Sequence, residues 1–127
     1  MRVIIRNTVG KPIYEQIKEQ IKEAILNEEL REGEALPSIR QLARDLKISV
    51  ITTTRAYSDL EEEGYVANVQ GKGCFVAAKN NELFREQILR RIEESLTAGI
   101  DAARLAGIPK GELMKMLELL IEEHNHE

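Results

Sequence analysis

Two helix-capping signals, one on each side of a tight turn, restrict the possible folds more than any other feature of this 127-residue chain. Ser38 can cap a first, short helix, and Gln41 three residues later completes the pattern of a capping box. After the connection LKIS, Ser49 can cap a second helix that extends to about Glu63 and stops at Gly64. A short helix joined by a tight turn to a capped helix is typical of a helix-turn-helix.

Further elements are predicted on both sides of this motif. The run VII at residues 3–5 predicts a short strand, and Pro12 opens a helix that ends near Asn27. After Gly64, the runs YVANV and CFVA surround QGKG, which predicts a β-hairpin with a glycine-rich tip. A hairpin that follows a helix-turn-helix makes the motif a winged helix.

The C-terminal part returns to helical periodicity. An apolar residue recurs every fourth position from Phe84 to Leu96, and a last helix is predicted near residues 110–123. The fold class is therefore predicted as α+β and mainly helical, with a winged helix-turn-helix domain over residues 1–78 and a small helical region over residues 79–127. Interruptions of the helical pattern are predicted at Gly99, Gly107 and Pro109.

The second helix of the motif has distinct faces when its residues are spaced at 100°. Ile51 and Arg55 lie on the outward face, and Thr52 and Thr54 flank it. In a helix-turn-helix, such residues meet base edges in the major groove, where arginine can fork onto guanine and an apolar side chain can contact a thymine methyl group. For Ile51 the alternative is burial against the wing or the neighbouring helix. The inward face is formed by Thr53, Ala56, Tyr57 and Leu60.

Positive charge is concentrated in the motif although the chain as a whole is acidic. Residues 38–56 hold four basic residues and one acidic residue, against a formal net charge of −4 for the whole chain. Residues 57–63 and residues 80–127 each have a net charge of −4, so we expect both segments to point away from phosphate. A local basic face on an acidic protein favours binding at selected DNA sites over indiscriminate coating.

Two arginines of the first helix of the motif are candidates for contact with the DNA backbone. Arg40 and Arg44 lie four residues apart and can reach the same strip of phosphates. The alternative is ordinary solvation or an ion pair, for which Asp45 and Glu34 are the nearby partners. In the context of the motif, we expect DNA contact for both arginines.

The hairpin tip offers a third set of contacts. Gly71 and Gly73 let the backbone approach a ligand without a Cβ clash. Lys72 supplies one positive charge, and Gln70 can read a groove edge. The alternative is a plain hairpin turn, because a glycine pair alone is a weak signal for phosphate.

These segments together resemble a known family. GEALPSIRQLARDLKIS, TTTRAYSDLEEEGYV and QGKGCFVA are similar to the N-terminal domain of GntR-family bacterial transcription regulators, over about residues 11–77. PIYEQI, RAY and the short C-terminal extension resemble the YtrA-like subfamily. The resemblance implies that Arg40, in the LPS-x-R motif, contacts DNA. Many family members carry an arginine where Thr54 stands, whereas here it comes one residue later, at Arg55, so we expect a different operator preference.

The motif and the resemblance together define a predicted DNA-binding surface. It combines the start of the first helix of the motif, the start of the second, and the tip of the wing. The predicted DNA-binding residues are Ser38, Arg40, Arg44, Ser49, Val50, Ile51, Thr52, Thr54, Arg55, Gln70, Gly71 and Lys72.

The C-terminal region is predicted to form a homodimer. Its two helices carry more apolar surface than they can bury in one another, and a self-complementary contact would cover it. The alternative is docking on the first helix of the same chain. The region is too small to enclose a sizeable ligand within one subunit, so an effector, which the sequence does not identify, would bind between domains or between subunits. The predicted dimerisation residues are Phe84, Ile88, Ile92, Leu113, Leu117, Leu120 and Ile121.

The sequence thus predicts a sequence-specific DNA-binding transcriptional regulator. We expect a homodimeric repressor on a pseudo-palindromic operator of double-stranded DNA. The alternative is a winged-helix module for protein interaction without specific DNA binding, against which the basic motif argues.

Other classes of function have little support in the sequence. Cys74, the single cysteine, cannot form an internal disulfide; it indicates a reducing compartment and is predicted to be a packing residue rather than a redox switch. His124 and His126 lie in the tail EEHNHE, for which a solvated terminus is favoured over weak metal binding. With no nucleophile–base set, phosphate loop or ordered metal spacing, we expect no enzyme, cofactor or metal. Without a membrane-length apolar run or a signal peptide, we expect a soluble cytoplasmic protein.

Overall fold

A computed structural model describes residues 1–7, 10–79 and 81–125. The chain divides into two compact units, residues 1–87 and 88–127. None of the helices in the described ranges is long and apolar enough to cross a membrane. The order of elements confirms the α+β, mainly helical class: α1 (Ile13–Leu26), α2 (Ile39–Leu46), α3 (Val50–Glu62), β1 (Val66–Val69), β2 (Gly73–Val76), α4 (Glu82–Leu105) and α5 (Lys110–Asn125).

The two predicted caps hold the helix-turn-helix in place. The Ser38 hydroxyl accepts a hydrogen bond from the Gln41 amide at 3.1 Å, and the Ser49 hydroxyl accepts one from the Thr52 amide at 3.0 Å. The capping box is incomplete, because the Gln41 side chain donates to Asp45 at 2.8 Å instead of returning to Ser38. Lys47 adopts φ 58° and ψ 46°, the left-handed conformation that ends α2 and turns the chain toward α3.

The core of the first unit lies between α1 and α3. Ile17, Ile21, Tyr57 and Leu60 are each fully buried, which confirms the inward face predicted for α3. Buried side chains at a spacing of three and four residues on both helices let them pack closely. Thr53 is also fully buried, and its hydroxyl donates to the Ser49 carbonyl at 3.1 Å.

The strand predicted over residues 3–5 is wrong, although its backbone is bonded much as a strand would be. The Gln20 side chain accepts from the Ile4 amide at 2.8 Å and donates to the Ile4 carbonyl at 2.7 Å. The Gln16 side chain makes the same pair of bonds with Arg6, at 2.8 and 2.9 Å. Two glutamine side chains of α1 therefore take the place of a neighbouring strand. Pro12 lies at the N-cap, one residue before the position predicted for it.

A backbone pairing that the sequence did not predict holds the wing in place. Ala35 pairs with Phe75 in an isolated antiparallel bridge, so the segment before α2 lies along β2. The Leu36 amide donates to the Cys74 carbonyl, and the Val76 amide donates to the Glu34 carbonyl, both at 2.9 Å. The wing is thereby held beside the start of α2.

The second unit consists of α5 and most of α4. The break predicted at Gly99 is wrong, because α4 continues through it to Leu105. One glycine costs a helix interior only about 1 kcal/mol, which is too little to end a helix of this length. The break at Gly107 is confirmed: it has φ 66°, and the Ile108 amide donates to the Ala103 carbonyl at 2.9 Å. In the described part of this unit, Ala103 is the only buried residue.

Candidate nucleic-acid interface

A groove between the start of α2 and the wing gathers five of the predicted DNA-binding residues. Its position follows from the bridge to β2 and from the hydrogen bond that the Tyr57 hydroxyl donates to the Pro37 carbonyl at 2.7 Å. The volume of the groove is about 410 Å³. Residues far apart in sequence therefore face one space, whose lining includes Ser38, Arg40, Gln70, Gly71 and Lys72.

The arginines of α2 are exposed and carry uncompensated charge. Within the described residues, neither Arg40 nor Arg44 forms an ion pair, so the ion-pair alternative is wrong. Of the nearby carboxylates, Asp45 accepts from the Gln41 side chain, and Glu34 accepts from a backbone amide. Both guanidinium groups therefore remain available to a phosphate.

The first turn of α3 presents an apolar surface to solvent. Ile51 is 83% exposed and Val50 is 47% exposed, so the predicted alternative of burial for Ile51 is wrong. The hydroxyls beside them are already engaged, since Ser49 donates to the Thr52 hydroxyl and Thr54 donates to the Val50 carbonyl, both at 2.8 Å. The side chain that projects furthest into solvent at this turn is thus a branched alkyl group.

The guanidinium of Arg55 lies on an aromatic ring of the neighbouring helix. Its Cζ is 3.7 Å from the centroid of the Tyr14 ring, and one of its terminal nitrogens donates to the Tyr14 hydroxyl at 3.1 Å. Sequence reasoning assigned Arg55 to the outward face and did not detect its partner. The only available signal was that a tyrosine occupies the first turn of a helix expected to pack on α3.

Comparison with known proteins connects this geometry to a family. Residues 13–76 match the family model of bacterial regulatory proteins, gntR family. The chain belongs to the GntR family. It is 35% identical over 111 residues to the HTH-type transcriptional repressor YtrA of Bacillus subtilis strain 168, covering 87% of this chain and 83% of that protein.

Two solved structures agree with the fold. YtrA from Sulfolobus acidocaldarius, a GntR-family transcription factor, superposes with a TM-score of 0.68 at 31% identity, covering 97% of this chain and 99% of that chain. The DNA-binding domain of AraR, solved in complex with operator ORX1, has a TM-score of 0.54 at 29% identity over 61% of this chain and 96% of its own.

This GntR protein is therefore a DNA-binding transcriptional regulator, similar to YtrA over nearly its whole length. Its relatives are named as transcriptional regulators rather than enzymes, which confirms the prediction that the chain is not an enzyme. The alternative of a winged helix without DNA binding has no support among them.

In the GntR fold of this chain, ion pairs to α1 anchor the acidic end of α3. Lys18 lies 3.3 Å from Asp59 and 3.1 Å from Glu63, and Lys22 lies 2.8 Å from Glu63. Burial lowers the pKa of Lys18, but hydrogen bonds and charge from Glu63 and Asp59 outweigh it and raise that pKa overall. Two of the four carboxylates in residues 57–63 are thus neutralised within the protein, away from the first turn of α3.

The remaining reactive groups support no further chemistry. Burial, with a smaller contribution from the charge of Glu61, raises the pKa of the Cys74 thiol to about 11, so the thiol is protonated at neutral pH. No group of three or more metal-binding side chains occurs within the described residues. His124 lies at an exposed helix end with its ring 2.9 Å from the Leu120 carbonyl, and His126 lies outside the described residues.

Proposed function

We propose that this GntR protein is a repressor that binds a pseudo-palindromic operator as a homodimer. The observation that most strongly supports DNA binding is the groove that brings Arg40 together with the wing tip at Gln70 and Lys72. Repression is supported by the similarity to YtrA of Bacillus subtilis, which is named a repressor. The groove carries Arg40 and Lys72, which are unpaired cations within the described residues, and lies at the exposed start of α2. Such a surface can bind the sugar–phosphate backbone at the edge of the major groove.

We propose distinct roles for the three parts of this surface. Arg40, Arg44 and Lys72 bind phosphates, because their charges are exposed and have no described acidic partner, and they set the orientation of the protein on DNA. The N-terminal half of α3 enters the major groove, where Val50, Ile51 and Arg55 meet base edges. Ser38, Ser49, Thr52, Thr54, Gln70 and Gly71 approach the backbone closely.

The proposed dimer rests on apolar surface that the chain does not cover. Ten large apolar side chains of the second unit are exposed, and α5 has no buried residue. We propose a second copy of the chain as the partner, because a two-fold symmetric dimer would cover the same apolar surface on both subunits. Within residues 79–127, we propose the interface residues Ile92, Leu120 and Ile121, which are exposed, and Ile88, Leu113 and Leu117, which are half-buried.

Phe84 is the one predicted interface residue that we leave out. It is 9% exposed, and its ring meets that of Tyr65 edge-on, with the centroids 5.4 Å apart. Because this contact lies inside the first unit, Phe84 belongs to the core of its own subunit rather than to a surface for another.

Selection of bound DNA from a random pool tests the proposal. We expect two half-sites related by a two-fold axis, separated by about one helical turn of 10–10.5 base pairs or a multiple of it. If each dimer engages about 6–10 phosphates, its affinity for the selected site falls about 10³–10⁵-fold between 50 and 200 mM salt. Recovery of no preferred sequence, or an affinity independent of salt, would contradict the proposal.

A further inference from the structure

The contact between Arg55 and Tyr14 lies at the edge of the proposed DNA-binding surface. Arg55 is exposed on α3, one helical turn after Ile51, whereas Tyr14 is half-buried in the first turn of α1. The 3.7 Å separation of Cζ from the ring centroid is a stacking distance, and the 3.1 Å hydrogen bond fixes the orientation of the guanidinium on the ring.

The contact adds little to the packing of α1 against α3. Four fully buried side chains and the ion pairs of Lys18 and Lys22 already join these helices. An exposed cation–aromatic pair changes an equilibrium constant by only about two- to fivefold. The contact acts instead on the conformational freedom of Arg55, which it limits to one orientation on the Tyr14 ring.

The contact with Tyr14 orders the Arg55 guanidinium before DNA binds. Immobilising a flexible side chain at an interface costs about two- to tenfold in a binding constant. Tyr14 restricts Arg55 before DNA arrives, and the guanidinium spends only one of its five N–H donors on the tyrosine hydroxyl. The other donors remain free for a phosphate or a guanine edge.

We infer that Tyr14 is a positioning residue of the DNA-binding surface, which holds Arg55 in the orientation that contacts DNA. The inference rests on the proposed function, because it requires that Arg55 meets the operator. It extends the DNA-binding surface to α1, where neither the spacing of residues nor the capping signals placed a functional residue.

A double-mutant cycle on the full-length protein tests this inference. The variants are Tyr14→Leu, which removes the ring but keeps an apolar side chain, Arg55→Ala, and the two combined. Their dissociation constants for the selected operator are measured at one salt concentration. We expect Tyr14→Leu to weaken binding about two- to fivefold in the wild-type background and by less than twofold when Arg55 is absent.

Two further measurements separate positioning from a structural role. Tyr14→Phe keeps the ring and loses only the hydroxyl, so it should retain more of the wild-type affinity than Tyr14→Leu. Selection from a random pool should show the same altered base preference, or the same reduced salt dependence, for Tyr14→Leu as for Arg55→Ala. Thermal unfolding of each variant reports its stability separately from its binding.

The possible results decide the inference. An equal loss of affinity from Tyr14→Leu in both backgrounds, or no loss in either, overturns the positioning role while the proposed function stands. A wild-type protein that selects no DNA sequence at all overturns the proposed function, and the inference with it.

Discussion

Gly64 and Leu83 are in direct contact, and the contact leaves no space for a side chain on the glycine. A Cβ built on Gly64 would lie 2.5 Å from the Leu83 Cβ and 2.6 Å from the Phe84 amide nitrogen. Gly64 also has φ +83°, a conformation that costs other residues about 1–2 kcal/mol. We therefore expect Gly64→Ala to lower the free energy of unfolding by about 2–4 kcal/mol, as thermal or urea denaturation would measure.

Gly33→Ala is the matched control for this prediction. Gly33 has φ +81°, but a Cβ on this residue would meet no other atom within 4 Å, so the variant isolates the backbone cost from the steric one. We expect it to cost only about 1–2 kcal/mol. Equal destabilisation by the two substitutions would show that crowding against Leu83 contributes nothing.

The helix-turn-helix and the hairpin, which the sequence predicted correctly, depend on local signals. The caps at Ser38 and Ser49 act within three residues of themselves, and the glycines of the wing tip bend the chain where they stand. Such interactions do not depend on the rest of the fold. For this reason, the helix-turn-helix and the hairpin could be recognised without a structure.

The features that the sequence missed depend on contacts between distant residues. Arg55 and Tyr14 are 41 positions apart. The pairing of Ala35 with Phe75 joins a wing strand to a segment whose only local signals are the helix breakers Gly33 and Pro37. The run VII at residues 3–5 is typical of a strand, but the backbone groups of Ile4 and Arg6 are bonded to glutamine side chains of a helix. Periodicity cannot reveal a partner of that kind.

We predict that Ile51 recognises thymine by contact with the methyl group of the base. The side chain is 83% exposed, so it is free to meet the one apolar group in the major groove. Replacing the contacted thymines of the selected operator by deoxyuridine removes only that methyl group. We expect affinity to fall about fourfold per half-site, from about 0.8 kcal/mol per methyl, as a fluorescence-anisotropy titration would measure.

Two variants control the thymine experiment. Ile51→Ala should abolish the difference between thymine and deoxyuridine operators. Ile4→Ala shortens another isoleucine of the first unit that is 51% exposed and lies outside the proposed surface, so both the affinity and the difference should persist. A wild-type protein indifferent to deoxyuridine at every position would exclude methyl readout by Ile51.

We predict that Leu120→Glu dissociates the dimer. Leu120 is 46% exposed on the apolar face of α5, and a charge at that position could be buried against a second copy only at a high desolvation cost. In analytical ultracentrifugation, we expect a shift from dimer to monomer. Affinity for the two-site operator should fall about 10²–10⁴-fold, whereas affinity for a single half-site should be unchanged.

Lys115→Glu places the same side chain on the polar side of α5 and serves as the control. Because residues 115 and 120 are separated by about 140° around the helix, this substitution should leave the dimer intact. If Leu120→Glu remained a dimer under the same conditions, α5 would not form the proposed interface.

We predict that ionisation of the Cys74 thiol lowers the free energy of unfolding at alkaline pH. Burial raises the pKa of this thiol from 9.0 to about 11, so the folded state holds its proton more tightly than the unfolded state does. The resulting stabilisation is complete below pH 9 and is lost as the pH rises through 11. The pKa values of Tyr57 and Lys18 are also raised, which adds to the loss in any variant that keeps them.

Urea unfolding of the wild type and of Cys74→Ala between pH 7 and 11 isolates the contribution of the thiol. Above pH 9, the wild type should lose stability relative to the variant. A constant difference in stability across that range would contradict the prediction.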